Sequence, residues 1–159
     1  VFSLIDYRKE FAVLPYSRPP LVSILPKSWK LGSKRGLRVK DLAGKPFICR
    51  EQGSAVREAF EQMVRESGLS PSPVIEVGSR EGIVSAVAEG VGAAFLFDEI
   101  LVPSEHIQKL QIIGCGISSN VDVVCLAERQ SSQIVSEFVA IAGELSGVSA
   151  GQRKAQIKA

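Results

Sequence analysis

Two strand-like runs, Phe47–Arg50 and Pro73–Val77, each lead into a Gly-Ser pair and then into a helical pattern. The pairs are Gly53-Ser54 and Gly78-Ser79. After the first, Val56, Phe60, Met63 and Val64 fall at i, i+4, i+7 and i+8, which predicts an amphipathic helix over Ser54–Ser67. Ser54 is placed as its N-cap and Gly68 as its C-terminal stop. After the second pair, Ile83, Val84 and Val87 predict a helix over Arg80–Glu89, capped by Ser79 and ended by Gly90. Gly92–Phe97 follows as an apolar run without alternation, read as a strand buried on both faces of a parallel sheet. The order strand, helix, strand, helix, strand predicts an α/β fold, a parallel-rich sheet with flanking helices and ligands at the carboxyl ends of its strands.

The flanks carry further elements. Phe11–Leu14 is apolar and held extended by Pro15, Pro19 and Pro20, and Leu21–Leu25 is a strand closed by Pro26. Between Lys27 and Lys45 lie seven Lys/Arg and three glycines, which predicts an exposed loop with one turn at Val39–Ala43. With Trp29 as its only aromatic, this stretch reads as a solvated loop rather than a nucleic-acid patch. Leu110–Ile113 and Val121–Ala127 are expected strands, and Asp98–Leu101 a helical turn. Ser132–Leu145 is an expected helix that buries Ile134, Val135, Phe138, Val139, Ile141, Ala142 and Leu145. Val1–Ile5 is a short apolar run, and 146–159 is expected to be a disordered tail. Because the first residue is Val1 inside an apolar run, the chain is expected to start partway through a longer protein.

Several chemistries lack their parts. His106 is the only histidine and follows Pro103-Ser104-Glu105 in a polar turn, so neither a histidine-rich metal site nor a serine triad is expected. No phosphate-binding P-loop occurs, and Gly90-Val91-Gly92 precedes a strand rather than a helix, against a dinucleotide fingerprint. Cys49, Cys115 and Cys125 are odd in number and irregularly spaced, as free buried thiols in a reducing cytoplasm would be. The net charge of +2 gives no broad cationic field for nucleic acid. No apolar run reaches the roughly 18 residues of a membrane span, and no signal peptide is visible. The expectation is therefore no catalytic residue, no metal and no cofactor.

What remains is a set suited to binding. A helix that opens at a strand end points unpaired N–H groups and its positive dipole end outward, toward a small anionic or polar ligand. The candidate ligand-binding residues are Arg50, Gln52, Gly53, Ser54, Ser79, Ser85, Phe95 and Phe97. Ser54 and Ser79 are each open to a capping role, a ligand-hydroxyl role or both. Arg50 is open to a bidentate contact with a carboxylate or phosphonate, or to pairing with Glu51 or Glu76. Ser85 is equally readable as a packed polar residue.

The stretch LVSILPKSWKLGSKRGLRVKDLAGKPFICREQGSAVREAFEQMVRESGLSP resembles the effector-binding domain of LysR-type transcriptional regulators. EVGSREGIVSAVAEGVGAAFLF is similar to that family's helix and following apolar strand, and VVCLAERQSSQIVSEFVAIA to its last strand and helix. The resemblance covers about residues 11–145. It implies two periplasmic-binding-protein-like subdomains joined by crossovers near Leu14–Leu25 and Lys109–Gly116, with the effector between them. The implied division is 1–25 as part of an incomplete first subdomain with its crossover, 26–108 as the second subdomain, 109–145 as the return crossover and last strand–helix of the first, and 146–159 as tail. The resemblance carries Gln52–Ser54, Ser85 and Phe95–Phe97 as effector-facing positions. It implies a small-molecule effector (a carboxylate, phosphonate or sulfate-like anion) and DNA contact only through an N-terminal domain not seen here. It also implies a homo-oligomer in the full-length protein, no membrane partner and a cytoplasmic location. REQGSAVREAF, EVGSRE and VVCLAER are also similar to regulators associated with aminoethylphosphonate catabolism. The alternatives are a solute-binding lobe of a transport system, which shares the fold, and a small enzyme, for which no nucleophile–base pair is visible.

Overall fold

The computed structural model describes residues 10–31, 36–68, 73–98 and 105–146. In chain order the elements are β1 (Phe11–Ser17), β2 (Leu21–Pro26), β3 (Phe47–Cys49), α1 (Ala55–Ser67), β4 (Pro73–Glu76), α2 (Arg80–Ala88), β5 (Ala94–Phe97), β6 (Ile107–Gln111), β7 (Val121–Leu126) and α3 (Gln133–Leu145). They form two compact units, Pro20–Ser119 and the described residues 10–19 with 120–146. The expected Val1–Ile5 run, the turn beyond Asp98 and the tail beyond Ser146 lie outside the described residues.

Unit Pro20–Ser119 is built on a mixed sheet. β2 pairs antiparallel with β5 (Leu21↔Phe97, Ile24↔Ala94) and with β6 (Val22↔Gln111, Leu25↔Gln108). β3 runs parallel to β4 through Ile48↔Ile75 and Cys49↔Glu76. A parallel bridge at Phe47↔Ala93 joins β3 to the start of β5, with Ile48 N–H donating to the Ala93 carbonyl at 2.9 Å. The βαβ portion is thus parallel, as the alternating pattern predicts. The long ladder of β5 with β2 is antiparallel, however, which corrects the reading of Gly92–Phe97 as a strand of a parallel sheet. Burial of the run is real, since Ala94–Phe97 is buried throughout. Apolarity on both faces records cover by helices, not strand direction. β2 and β6, which sequence resemblance assigns to crossovers, are the middle and one edge of the three-stranded ladder β5-β2-β6.

Period-two alternation divides the core. Leu21, Leu25, Phe47, Cys49, Phe95 and Phe97 lie in one cluster with Phe60 and Met63 of α1. Ile24, Ile48, Ala94 and Leu96 lie in the other with Ile83 and Val87 of α2. Each helix therefore covers one face with the stripe its sequence predicts. Phe47, Phe60 and Phe95 form a ring triplet with centroids 5.3–5.8 Å apart.

Three readings shift. The basic stretch is not wholly exposed: Leu37 and Leu42 are fully buried. Leu37 N–H donates to the Gln111 carbonyl and Ile113 N–H to the Leu37 carbonyl, both at 2.8 Å, so the arm is pinned beside β6. Gly36 allows this approach, because a Cβ there would sit 2.5 Å from the Gln111 oxygen at φ +117. The strand expected at Leu110–Ile113 occupies Ile107–Gln111, since the hydrogen-bonding edge of β2 ends opposite Ile107 and sets the register. Of the three free cysteines, only Cys49 is buried, while Cys115 and Cys125 are half-buried.

In the other unit β1 and β7 form a two-stranded antiparallel sheet (Phe11↔Leu126, Leu14↔Val123), and α3 packs on both strands. The helix forms where expected, but its apolar side is largely uncovered. Ala142 is buried and Val135 and Val139 are half-buried, whereas Ile134, Phe138, Ile141 and Leu145 are exposed. Ile134 is 80% exposed and Leu145 72% exposed. Two strands are too narrow to cover a seven-residue stripe.

Candidate functional site

β3 ends at Cys49, and the chain turns through Glu51–Gly53 into α1. Gly53 takes a φ of +86, which lets the turn close without a side-chain clash. β4 likewise delivers the chain to Arg80 at the first position of α2, and β5 ends at Phe97. The carboxyl ends of β3 and β5 and the start of α2 converge on a cleft of about 260 Å³. Arg50, Glu51, Gly53 and Ser54 line it from the β3–α1 turn, followed by Ala55 and Val56 of the first helical turn. Arg80, Leu96, Phe97 and Ser119 complete the lining.

The polar geometry is specific. Arg50 donates through Nε and Nη2 to the two carboxylate oxygens of Glu51, both at 2.7 Å. That bidentate pair holds the Glu51 carboxyl down to about 2, helped by a backbone hydrogen bond, and raises Arg50. Arg57 of α1 donates through Nη1 to the Arg50 carbonyl at 3.1 Å and through Nε to Glu61 at 2.6 Å, which fixes the backbone at Arg50. Arg80 donates through Nη2 to the Phe97 carbonyl at 3.0 Å, tying the start of α2 to the end of β5. Ser54 occupies the N-cap position of α1, yet its hydroxyl makes no capping hydrogen bond. The N–H groups of Ala55 and Val56, in the first turn, have no acceptor within the helix. Guanidinium groups, a helix start and a hydroxyl around one cleft suit an anion with a polar body.

Of the eight sequence candidates, Arg50, Gly53, Ser54 and Phe97 meet in the cleft. Gln52 sits in the same turn but is exposed and outside the lining. Ser79 caps α2, its hydroxyl accepting from Gly82 N–H at 3.1 Å. Ser85 is exposed on α2. Phe95 stacks with Phe47 and Phe60 in the core and lines only a crevice of about 10 Å³ beside Cys49 and Arg57, room for roughly one water. Burial pushes the Cys49 thiol up, partly offset by Arg57. Sequence reasoning missed Glu51, Arg80 and Ser119 as lining. A signal for Arg80 was available: a cation in the first turn opposes the helix dipole, so it needs another reason to be there. Among the described residues no group of three or more His, Cys, Asp and Glu could hold a metal, and no helix is long and apolar enough to cross a membrane.

The family model of the LysR substrate binding domain matches residues 3–146. The chain belongs to that family. Its fold is accordingly of the periplasmic-binding-protein-like α/β class. Among solved structures, the regulatory domain of Synechocystis PCC6803 CcmR in complex with 2-PG is 26% identical with a TM-score of 0.73, over 87% of this chain and 68% of that one. The effector binding domain of QuiR in complex with shikimate, 16% identical, shares the fold with a TM-score of 0.71 over 89% of this chain and 68% of that one. The HTH-type transcriptional regulator CysL of Bacillus subtilis is 25% identical over 92 residues, 58% of this chain and 31% of its own length. This LysR-family chain therefore spans about a third of that regulator. CysL is named as a transcriptional regulator, as is the transcriptional activator CmpR of Synechocystis sp., 34% identical over 77 residues, 48% of this chain and 25% of its own length.

Proposed function

We propose that the chain is the effector-sensing part of a LysR-type transcription regulator and binds a small anionic metabolite in the cleft at the carboxyl ends of β3 and β5. The observation that carries this reading is the convergence of Arg50, Arg80, the Ser54 hydroxyl and the start of α1 on one 260 Å³ space. The names of two structural relatives support it, since each of those domains is described with a small molecule bound. In the whole protein, the bound state is selected from a pre-existing equilibrium and reported by a DNA-binding domain, in a cytoplasmic homo-oligomer. Carboxylates, phosphonates and sulfate-like anions are the proposed class, with aminoethylphosphonate as the narrowest member. A transport-type solute-binding role is the weaker reading, because the relatives' names are those of regulators.

Calorimetric titration with inorganic phosphate, sulfate, acetate and 2-aminoethylphosphonate tests the reading, with glycerol as a neutral control. At least one anion binds, glycerol does not, and Arg50→Gln lowers the affinity about tenfold or more. Undiminished anion affinity in both Arg50→Gln and Ser54→Ala would remove this cleft as the site.

A further inference from the structure

We propose that Glu51 is a built-in competitor for the effector's anionic group, holding the Arg50 fork closed until a bidentate anion displaces it. This deepens the proposed function and rests on it. Arg50 and Glu51 are adjacent in sequence and both line the cleft. The two 2.7 Å contacts between them use Nε and Nη2, the pair of donors with which a guanidinium grips a carboxylate or phosphate. The bond that an effector would make is already made by the protein.

The two partners are unequally held. The Arg50 side chain is 21% exposed, and its carbonyl is anchored by Arg57. The Glu51 side chain is 41% exposed and sits in the turn whose next glycine, Gly53, is in the left-handed region. Glu51 can therefore swing into water, where its charge is well solvated, while Arg50 stays. An exposed ion pair of this kind is weak and easily exchanged. The exchange also sets charge preference. With Glu51 in place, Arg50 presents little net charge to the cleft, so a monodentate or neutral ligand gains little from it. An anion with two oxygens in one plane replaces Glu51 oxygen for oxygen. Glu81 in the first turn of α2 is the other carboxylate felt at Arg50, and it takes no part in the bidentate contact.

The test titrates the 159-residue chain and its Glu51→Gln, Glu51→Ala and Glu51→Asp variants with inorganic phosphate, acetate and glycerol, with circular dichroism reporting the fold of each. Glu51→Gln and Glu51→Ala bind phosphate and acetate about fivefold tighter than the parent, Glu51→Asp stays near the parent, and glycerol is unaffected. Parent protein that binds phosphate or acetate while the Gln and Ala variants bind equally or more weakly overturns the displacement and leaves the anion reading intact. A chain in which neither parent nor variants bind either anion overturns the anion reading and the displacement with it.

Discussion

Replacing Ser54 and Ser79 separately by alanine contrasts two helix starts that look alike in sequence. Both serines stand at N-cap positions in extended backbone, after a glycine and before a helix. Only Ser79 caps, accepting from Gly82 N–H at 3.1 Å, while the Ser54 hydroxyl makes no such bond. Ser79→Ala removes the acceptor of an otherwise unpaired N–H and costs about 1 kcal/mol. Ser54→Ala removes no cap and costs a few tenths, about the scatter of surface substitutions. With a urea slope of about 1.5 kcal/mol per molar, the midpoint falls by roughly 0.7 M for Ser79→Ala and by about 0.2 M or less for Ser54→Ala. Urea unfolding followed by the Trp29 fluorescence of the same unit reads both. Anion titration is the second arm: affinity drops in Ser54→Ala and holds in Ser79→Ala. Equal losses of stability in the two variants would refute the assignment, because Ser54 would then be the cap that its position suggests.

Other consequences follow from single contacts. Gly92→Ala places a Cβ 2.8 Å from the Pro46 carbonyl oxygen, where Ala93 N–H also bonds at 2.9 Å, and is expected to cost about 2 kcal/mol in urea unfolding. Ser23 is fully buried in β2 with no hydrogen-bond partner for its hydroxyl among the described residues, so Ser23→Ala is expected to be neutral or stabilising by up to about 1 kcal/mol, with a raised melting temperature as the readout. The Glu51 carboxyl titrates at about 2 in the fold against an ordinary 4.5, so its contribution is complete above pH 5 and disappears as the pH falls toward 2. The stability difference between the parent and Glu51→Gln is accordingly flat from pH 7 to 5 and shrinks below about pH 4.5 in acid denaturation curves.

The parts legible from sequence are those where one local period dominates. α1 and α2 sit where the spacing of Phe60 and Met63, and of Ile83 and Val87, places them, and Gly68 and Gly90 end them. Strand direction was not legible, because Ala94–Phe97 is apolar whether its partner runs with it or against it. Leu37 and Leu42 were hidden for the opposite reason: each is an isolated apolar residue in a basic run, with no period to announce its burial. The cleft was half legible. Arg50, Gly53 and Ser54 are consecutive enough to read as a turn, whereas Arg80 reaches the Phe97 carbonyl across 17 residues, a pairing that only the sheet creates. Phe95 and Phe97 look interchangeable in sequence and share a face, but Phe97 stands at the strand's end beside the cleft and Phe95 lies under α1.

The uncovered side of α3 bears on how the chain opens and closes. Among the described residues this unit has two strands, which have little to hold them together, and the helix above places Ala142, with partial help from Val135 and Val139, against them. Among the described residues, opening β1, β7 and α3 therefore exposes little buried apolar surface beyond Leu14 and Ala142, and its free energy is expected to lie well below that of opening the sheet around β2. Backbone amides of Phe11–Ser17 and Val121–Leu126 should trade hydrogen for deuterium long before those of Leu21–Leu25. Two tiers of exchange protection, dividing near residues 20 and 119, are thus built into this chain.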